Sequence, residues 1–269
     1  MTSETLPRPA WMQAVSRDDS FGMPKSIALY GEPGTFKSTM AAALVKRPNK
    51  PKVLLIDIDN GSESIINDPE ILAAKREGRL DIVPIDPTSP DAFQRIDYIL
   101  NDVITNAYGY EFTIVDTVNL AQDVAKEHFL TNTFSASGKL DALAGWAEVS
   151  KWSDRIVRGL HNAPHTTGVF ILHERSDQDE LGVSKVKPKL SGGFRDSFAS
   201  VPSVVARLSF EKNPDTDKTE LMATLGESEL VVSKNRYSSL VEPVMWDFDL
   251  LSLYAKLDEK LSLGGQEAA

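Results

Sequence analysis

The chain has 269 residues, 41% hydrophobic and 25% charged, a composition that can bury a real core in one large domain or two small ones. It has no cysteine, which excludes disulfides and thiolate metal sites and fits a reducing cytoplasm. The formal net charge of -10 leaves nucleic acid only a local basic patch or an assembled groove. The N-terminus MTSETLPRPAWMQ lacks a basic-then-apolar leader, and no apolar run reaches the roughly 18 residues of a membrane span. The expected location is therefore the cytoplasm, with no membrane partner.

Residues 1–24, with Pro7, Pro9 and Pro24, read as an N-terminal arm. SIALYG (26–31) is a short apolar strand entering a Gly-containing loop, and KSTMAAALVKR (37–47) is Ala-rich and reads as helix. KVLLIDID (52–59) is a buried strand, and LDIVPID (80–86) another. Residues 89–107 carry Phe93, Ile96, Ile99, Leu100 and Ile104 at helical spacing, with Ser89 and Pro90 expected at the helix start. EFTIVDT (111–117) is a strand, and residues 140–163 form an amphipathic helix expected to share Leu143, Trp146, Val149, Ile156 and Leu160 on one face. TGVFILHE (167–174) is a further buried strand, followed by a polar, basic loop over 175–197. SVVARLSFE, ELMATLG and ELVVSKNRY alternate like antiparallel strands, residues 247–262 read as a last helix, and 263–269 as a flexible tail. Strands alternating with helices predict an α/β fold: a mostly parallel central sheet, helices on both faces and an antiparallel C-terminal edge, in one core over 25–262.

The chemistry concentrates in GEPGTFKST (31–39). Gly31, Lys37 and Ser38 match G-x-x-x-x-G-K-[ST], with Phe36 at the second glycine. A strand, a turn and a helix N-terminus converge backbone N–H groups on one point, which suits a polyphosphate such as that of ATP. The whole loop (Gly31, Glu32, Pro33, Gly34, Thr35, Phe36, Lys37, Ser38, Thr39) is the nucleotide-binding candidate. Lys37 would meet the outer phosphates and the Ser38 hydroxyl Mg²⁺. Phe36 keeps its backbone N–H but not glycine's freedom at positive φ; with helical φ its ring could turn away from the phosphates. Asp116 ends a buried strand and suits Mg²⁺ coordination; the alternative is a cap on the next helix. Asp57 and Asp59 would point the same way in extended chain, and Asp59 is the candidate base for the attacking water, against an ordinary acidic turn. His173 ends a strand at the edge where α/β proteins place ligands. Beyond it Arg175, Lys185, Lys187, Lys189 and Arg195 are candidates for single-strand contact, although Asp177, Asp179 and Glu180 dilute the charge. Lys234 and Arg236 alternate with Asn235 and could reach a neighbour's γ-phosphate; otherwise they are a basic strand end.

This order of parts resembles the RecA-type core of recombinases over residues 26–240. LHERSD and KPKLSGGFRDSFASVPSVVARL look most like the short RecA-core ATPases of bacteriophages, which act in single-strand annealing and recombination. The resemblance implies ATP and Mg²⁺ as cofactors, Asp59 activating water, and His173 linking the γ-phosphate to a DNA-binding loop. It implies Lys234 and Arg236 completing a neighbour's site in a ring or filament, with WMQA (11–14) as a subunit plug. It implies single-stranded DNA as partner and admits a single-strand-binding protein. Phe36, and Asp rather than Glu at 59, depart from the family; the departures could slow or abolish hydrolysis while leaving binding intact, and the loop is read as functional with Phe36 tolerated, in a slow DNA-linked ATPase. A ring helicase motor, or an assembly protein on an inactive loop, are the alternative functions.

Overall fold

The computed structural model describes residues 23–178, 182–226 and 228–267. The strands are β1 (Ser26–Gly31), β2 (Val53–Asp57), β3 (Leu80–Pro84), β4 (Phe112–Asp116), β5 (Thr167–Gln178), β6 (Ser184–Pro188), β7 (Val204–Lys212), β8 (Thr219–Thr224), β9 (Lys234–Asn235) and β10 (Val244–Trp246). They form one sheet in the order β10-β8-β7-β1-β5-β4-β2-β3, with β6 on β5 and β9 on β7. The run from β3 to β7 is parallel, and β8, β9 and β10 add antiparallel pairs. The fold class read from the alternation of elements is the one observed.

The central strands are apolar throughout because both of their faces are covered. One face packs on α1 (Lys37–Ala42), its 3₁₀ continuation Ala43–Lys46, α2 (Ser62–Ile65) and α3 (Pro69–Arg76). The other lies under α4 (Ala92–Thr105), α5 (Val118–Asn132), α6 (Ala142–Asn162) and α7 (Phe194–Ser197). The closing helix α8 (Leu250–Glu267) joins the first layer through Leu250, Leu253, Tyr254 and Leu257. Most ion pairs lie at the surface and contribute about 0–1 kcal/mol each, so the two apolar layers carry the stability. Truncating a side chain such as Leu160, fully buried in the second layer, to alanine is expected to cost about 2–5 kcal/mol.

Helix starts follow cap chemistry. Asp68 Oδ1 accepts from the N–H of Glu70 and Ile71 ahead of Pro69, and Asp141 Oδ1 accepts from Ala144 N–H at 3.0 Å. The helix expected from Ser89 begins only at Ala92, because Ser89 and Pro90 belong to a turn in which Ala92 N–H donates to the Ser89 carbonyl. Helix α6 begins at Ala142, and Leu143 is 85% exposed rather than core; Val149, Trp152, Ile156, Val157 and Leu160 fill the buried face.

Further expectations are corrected. The segment expected as a loop after His173 is an antiparallel hairpin: β5 continues to Gln178 and pairs with β6, Arg175 opposite Lys187. In ELVVSKNRY only Lys234 and Asn235 pair as a strand. Helix α8 runs through residues 263–267, expected as tail. The arm at 1–22, with WMQA, lies outside the described residues. No helix among those described is long and apolar enough to cross a membrane.

Candidate nucleotide site

Parallel pairing aligns the C-terminal strand ends. Gly31 sits opposite His173 on β5 and Leu208 on β7, and Asp57 sits opposite Asp116. Gly31 has no alternative here: a Cβ would meet the Leu208 carbonyl oxygen at 2.2 Å. Gly34 turns the loop at φ 83°. Pro33, Gly34, Phe36, Lys37, Ser38 and Thr39 then line one side of a cleft of about 540 Å³, with Asp59, Asp116 and His173 on the other. Residues far apart in sequence and proposed separately thus share one cleft.

Lys37 is buried and folded back on its own loop. Its Nζ donates to the carbonyls of Gly31 at 3.0 Å and Glu32 at 2.7 Å and to Thr35 Oγ1 at 3.0 Å. Burial pushes its pKa down, offset by the carboxylates of Asp116, Glu174 and Asp59. Glu32 and Thr35 therefore act through the loop's internal bonds: Thr35 Oγ1 also donates to the Glu32 carbonyl.

Phe36 does not adopt the helical φ considered for it. It caps α1 at φ 57° and ψ 19°, the left-handed conformation that glycine takes without penalty. A side chain there costs about 1–2 kcal/mol. Its ring is 59% exposed and meets Phe210 of β7 edge to face, with centroids 6.2 Å apart.

Asp116 is 1% exposed, and neither carboxylate oxygen has a hydrogen-bond partner among the described residues. Burial pushes its pKa up to about 6; the nearby Ser38 hydroxyl and Lys37 pull it down, while Asp57 and Asp59 push it up. A buried carboxylate without a donor, beside a loop serine, fits a divalent cation. Among the described residues no three acidic or histidine side chains gather as a metal cluster. A cation here thus needs further oxygen ligands, such as those of a nucleotide.

Asp57 and Asp59 do not act as a pair. Asp57 Oδ1 and Oδ2 accept from the N–H groups of Gly61 and Ser62, so it tethers the start of α2. The strand stops there, and Asp59 turns into the cleft, held by its N–H to the Asp116 carbonyl. Its Oδ2 lies 3.7 Å from His173 Nε2. Burial pushes His173 below the usual histidine value, against the pull of Asp59.

The basic candidates divide. Arg175 and Lys187 both pair with Asp177, and Arg195 pairs with Asp196; Lys185 and Lys189 are exposed. Lys234 and Arg236 are not in the cleft. Lys234 pairs with Val205 near the start of β7, and both side chains turn to the Ser200 carbonyl. Burial and Arg236 push Lys234 down to about 8.

Two contacts had no sequence signal. Asn119, buried at the start of α5, accepts from His173 N–H at 3.1 Å, and Glu174 pairs with Arg207 of β7. Both involve residues distant in sequence; the nearest available hint was an Asn three positions after the strand-end Asp.

A parallel sheet bearing this loop at the end of β1, with an acidic strand end two strands away, has the arrangement of a P-loop nucleotide-binding core. The AAA domain family (AAA_24) matches residues 23–237, and the chain belongs to that family. No curated protein matches the sequence. Similar solved structures include an ATPase of the type III secretion system of pathogenic bacteria, at 16% identity and TM-score 0.48 over 80% of this chain. This chain spans 58% of that protein's length. They also include the flagellar accessory protein FlaH from Methanocaldococcus jannaschii, at 13% identity and TM-score 0.42, covering 76% of this chain and 79% of that one. The RadB recombinase is similar at 14% identity and TM-score 0.41, covering 75% of this chain and 80% of that one.

Proposed function

We propose that this chain is a nucleotide-switched ATPase that acts on single-stranded DNA in recombination, promoting annealing or strand pairing, as subunits arranged head to tail. The observation that carries the switch is the Asp59–His173 contact at 3.7 Å, which joins the nucleotide cleft to the strand that becomes the β5–β6 hairpin. Loop 31–39 binds the phosphates through its N–H groups, and Lys37 swings from its carbonyl partners to the outer phosphates. Ser38 and Asp116 would hold Mg²⁺, which when bound neutralises phosphate charge. Asp59 orients and deprotonates the attacking water, and His173 passes the state of the γ-phosphate into the hairpin. Lys185 and Lys189 are the exposed cations that meet DNA; Arg175, Lys187 and Arg195 join them by exchanging carboxylate for phosphate.

Lys234 and Arg236 lie at the strand starts, at the opposite end of the sheet from the loop. That placement suits cations supplied to a neighbour's nucleotide. Assembly on an inactive loop is the second reading, favoured by the left-handed Phe36 and by Lys37 folded onto the loop.

Equilibrium binding of a fluorescent ATP analogue with Mg²⁺, with and without single-stranded DNA, separates the two. Binding strengthened by DNA supports the switch; no binding in either condition leaves the assembly reading. Asp59→Asn is expected to lower turnover at least 100-fold with ATP affinity held within a few-fold. Equal turnover in single-cycle kinetics would remove Asp59 from the mechanism.

A further inference from the structure

The nucleotide cleft has a direction. In the sheet order β7-β1-β5-β4-β2, the groups suited to a metal and an outer phosphate all lie on one side of β1: His173 on β5, Asp116 at the end of β4 and Asp59 just past β2. A triphosphate seated on loop 31–39 with its outer end toward them directs its nucleoside the other way, toward β7. Strands β7 and β4 are three sheet spacings apart, about 14 Å, a distance that an extended nucleoside triphosphate spans.

On the β7 side stand two aromatic rings. Leu208 sits opposite Gly31, and Phe210 lies two residues beyond it, on the same face of the strand. That face packs on α1, and Phe36 caps α1. The two rings meet edge to face, with planes 84° apart. Phe36 also lines the cleft beside Lys37, Ser38 and Thr39. The rings are 59% and 48% exposed, so each keeps an open surface. Phe36 is held at φ 57°, where glycine would be unstrained, and a ring this exposed recovers little of that cost by burial within the chain. A ligand covering the ring supplies the missing contact.

We infer that Phe36 and Phe210 form the nucleobase platform of this site. Neither ring carries a hydrogen-bonding group, so the platform ranks bases by stacking area rather than by edge pattern. Purines rank above pyrimidines, with little distinction between adenine and guanine. The inference rests on the nucleotide reading above and adds its base specificity. It also gives a use to the residue that departs from the phosphate-loop pattern.

The test is displacement of a ribose-labelled ATP analogue from the full-length chain with Mg²⁺, by ATP, GTP, UTP, CTP and inorganic tripolyphosphate. ATP and GTP are expected within about three-fold of each other, ahead of UTP and CTP, and both about ten-fold or more tighter than tripolyphosphate. F210A is expected to weaken ATP and GTP about ten-fold and to leave tripolyphosphate unchanged; F210W, which restores ring area, should restore both nucleotides. F36G relaxes the loop, yet it too is expected to weaken ATP relative to tripolyphosphate. ATP affinity unchanged in F210A, or tightened in F36G, would overturn the platform. So would a 100-fold preference for ATP over GTP, which demands a group that reads the base edge. ATP and tripolyphosphate binding equally would overturn the platform and leave the phosphate loop standing. Binding of neither would overturn the nucleotide reading itself, and the platform with it.

Discussion

Lys37→Ala is expected to weaken ATP binding at least 100-fold while leaving the chain folded. The ammonium group is the cation of the phosphate loop, and a charge-assisted hydrogen bond to phosphate contributes about 1.5–3 kcal/mol. Two such bonds account for the loss at about 1.4 kcal/mol per factor of ten. The cost to the fold is smaller, about 1–2 kcal/mol. Gly31, Glu32 and Thr35 lose a donor, but removal also ends the burial of an ammonium group that is only 6% exposed. Titration calorimetry with ATP and Mg²⁺, beside a thermal melt, separates the two effects. Unchanged affinity would overturn the assignment of loop 31–39. Lost affinity together with a collapsed melt would make Lys37 a structural member of the loop.

Asp116→Asn is expected to have opposite signs on stability and on binding. The buried carboxyl holds its proton to about pH 6, against 3.8 for an unperturbed aspartate. Between those values the folded state binds more protons than the unfolded one, so stability falls as pH rises through that window. Above about pH 6 the full cost is present, on the order of 3 kcal/mol. Asparagine removes the charge but still buries an amide without a partner, so the net gain at pH 7.5 is about 1–2 kcal/mol, or roughly 2–6 °C in melting midpoint. Near pH 4 the gain should vanish. The same substitution should abolish Mg²⁺-dependent strengthening of ATP binding, and in the native chain that strengthening should fade as pH drops through about 6. A variant that melts lower than the native chain at both pH values would make Asp116 a structural residue.

These expectations are readable to different degrees in the sequence. SIALYG, KVLLIDID, FTIVD and GVFIL are apolar runs short enough for strands and bounded by turn residues, and all four are strands of the parallel core. The phosphate loop is local too, because its spacing is that of a single turn between a strand and a helix. The hairpin after His173 was hidden, since neither strand buries a regular face there and β6 is held extended by pairing with β5 and by Val186 bonding to Leu230 and Val232. Asp57 and Asp59 looked equivalent by spacing until β2 ended between them and α2 claimed Asp57.

The sequence by itself determined the layered α/β architecture, the place of the loop at the first strand's end, and the candidate acids and cations, since each follows from periodicity, composition or spacing within one element. Only the tertiary structure decided which of them meet. Strand register, set by β1 pairings to positions 142 residues away on β5 and 177 residues away on β7, puts His173 beside Asp59 and Phe210 beside Phe36, while it sends Lys234 and Arg236 to the far end of the sheet. That register is a long-range property of the packed sheet, and no local pattern encodes it.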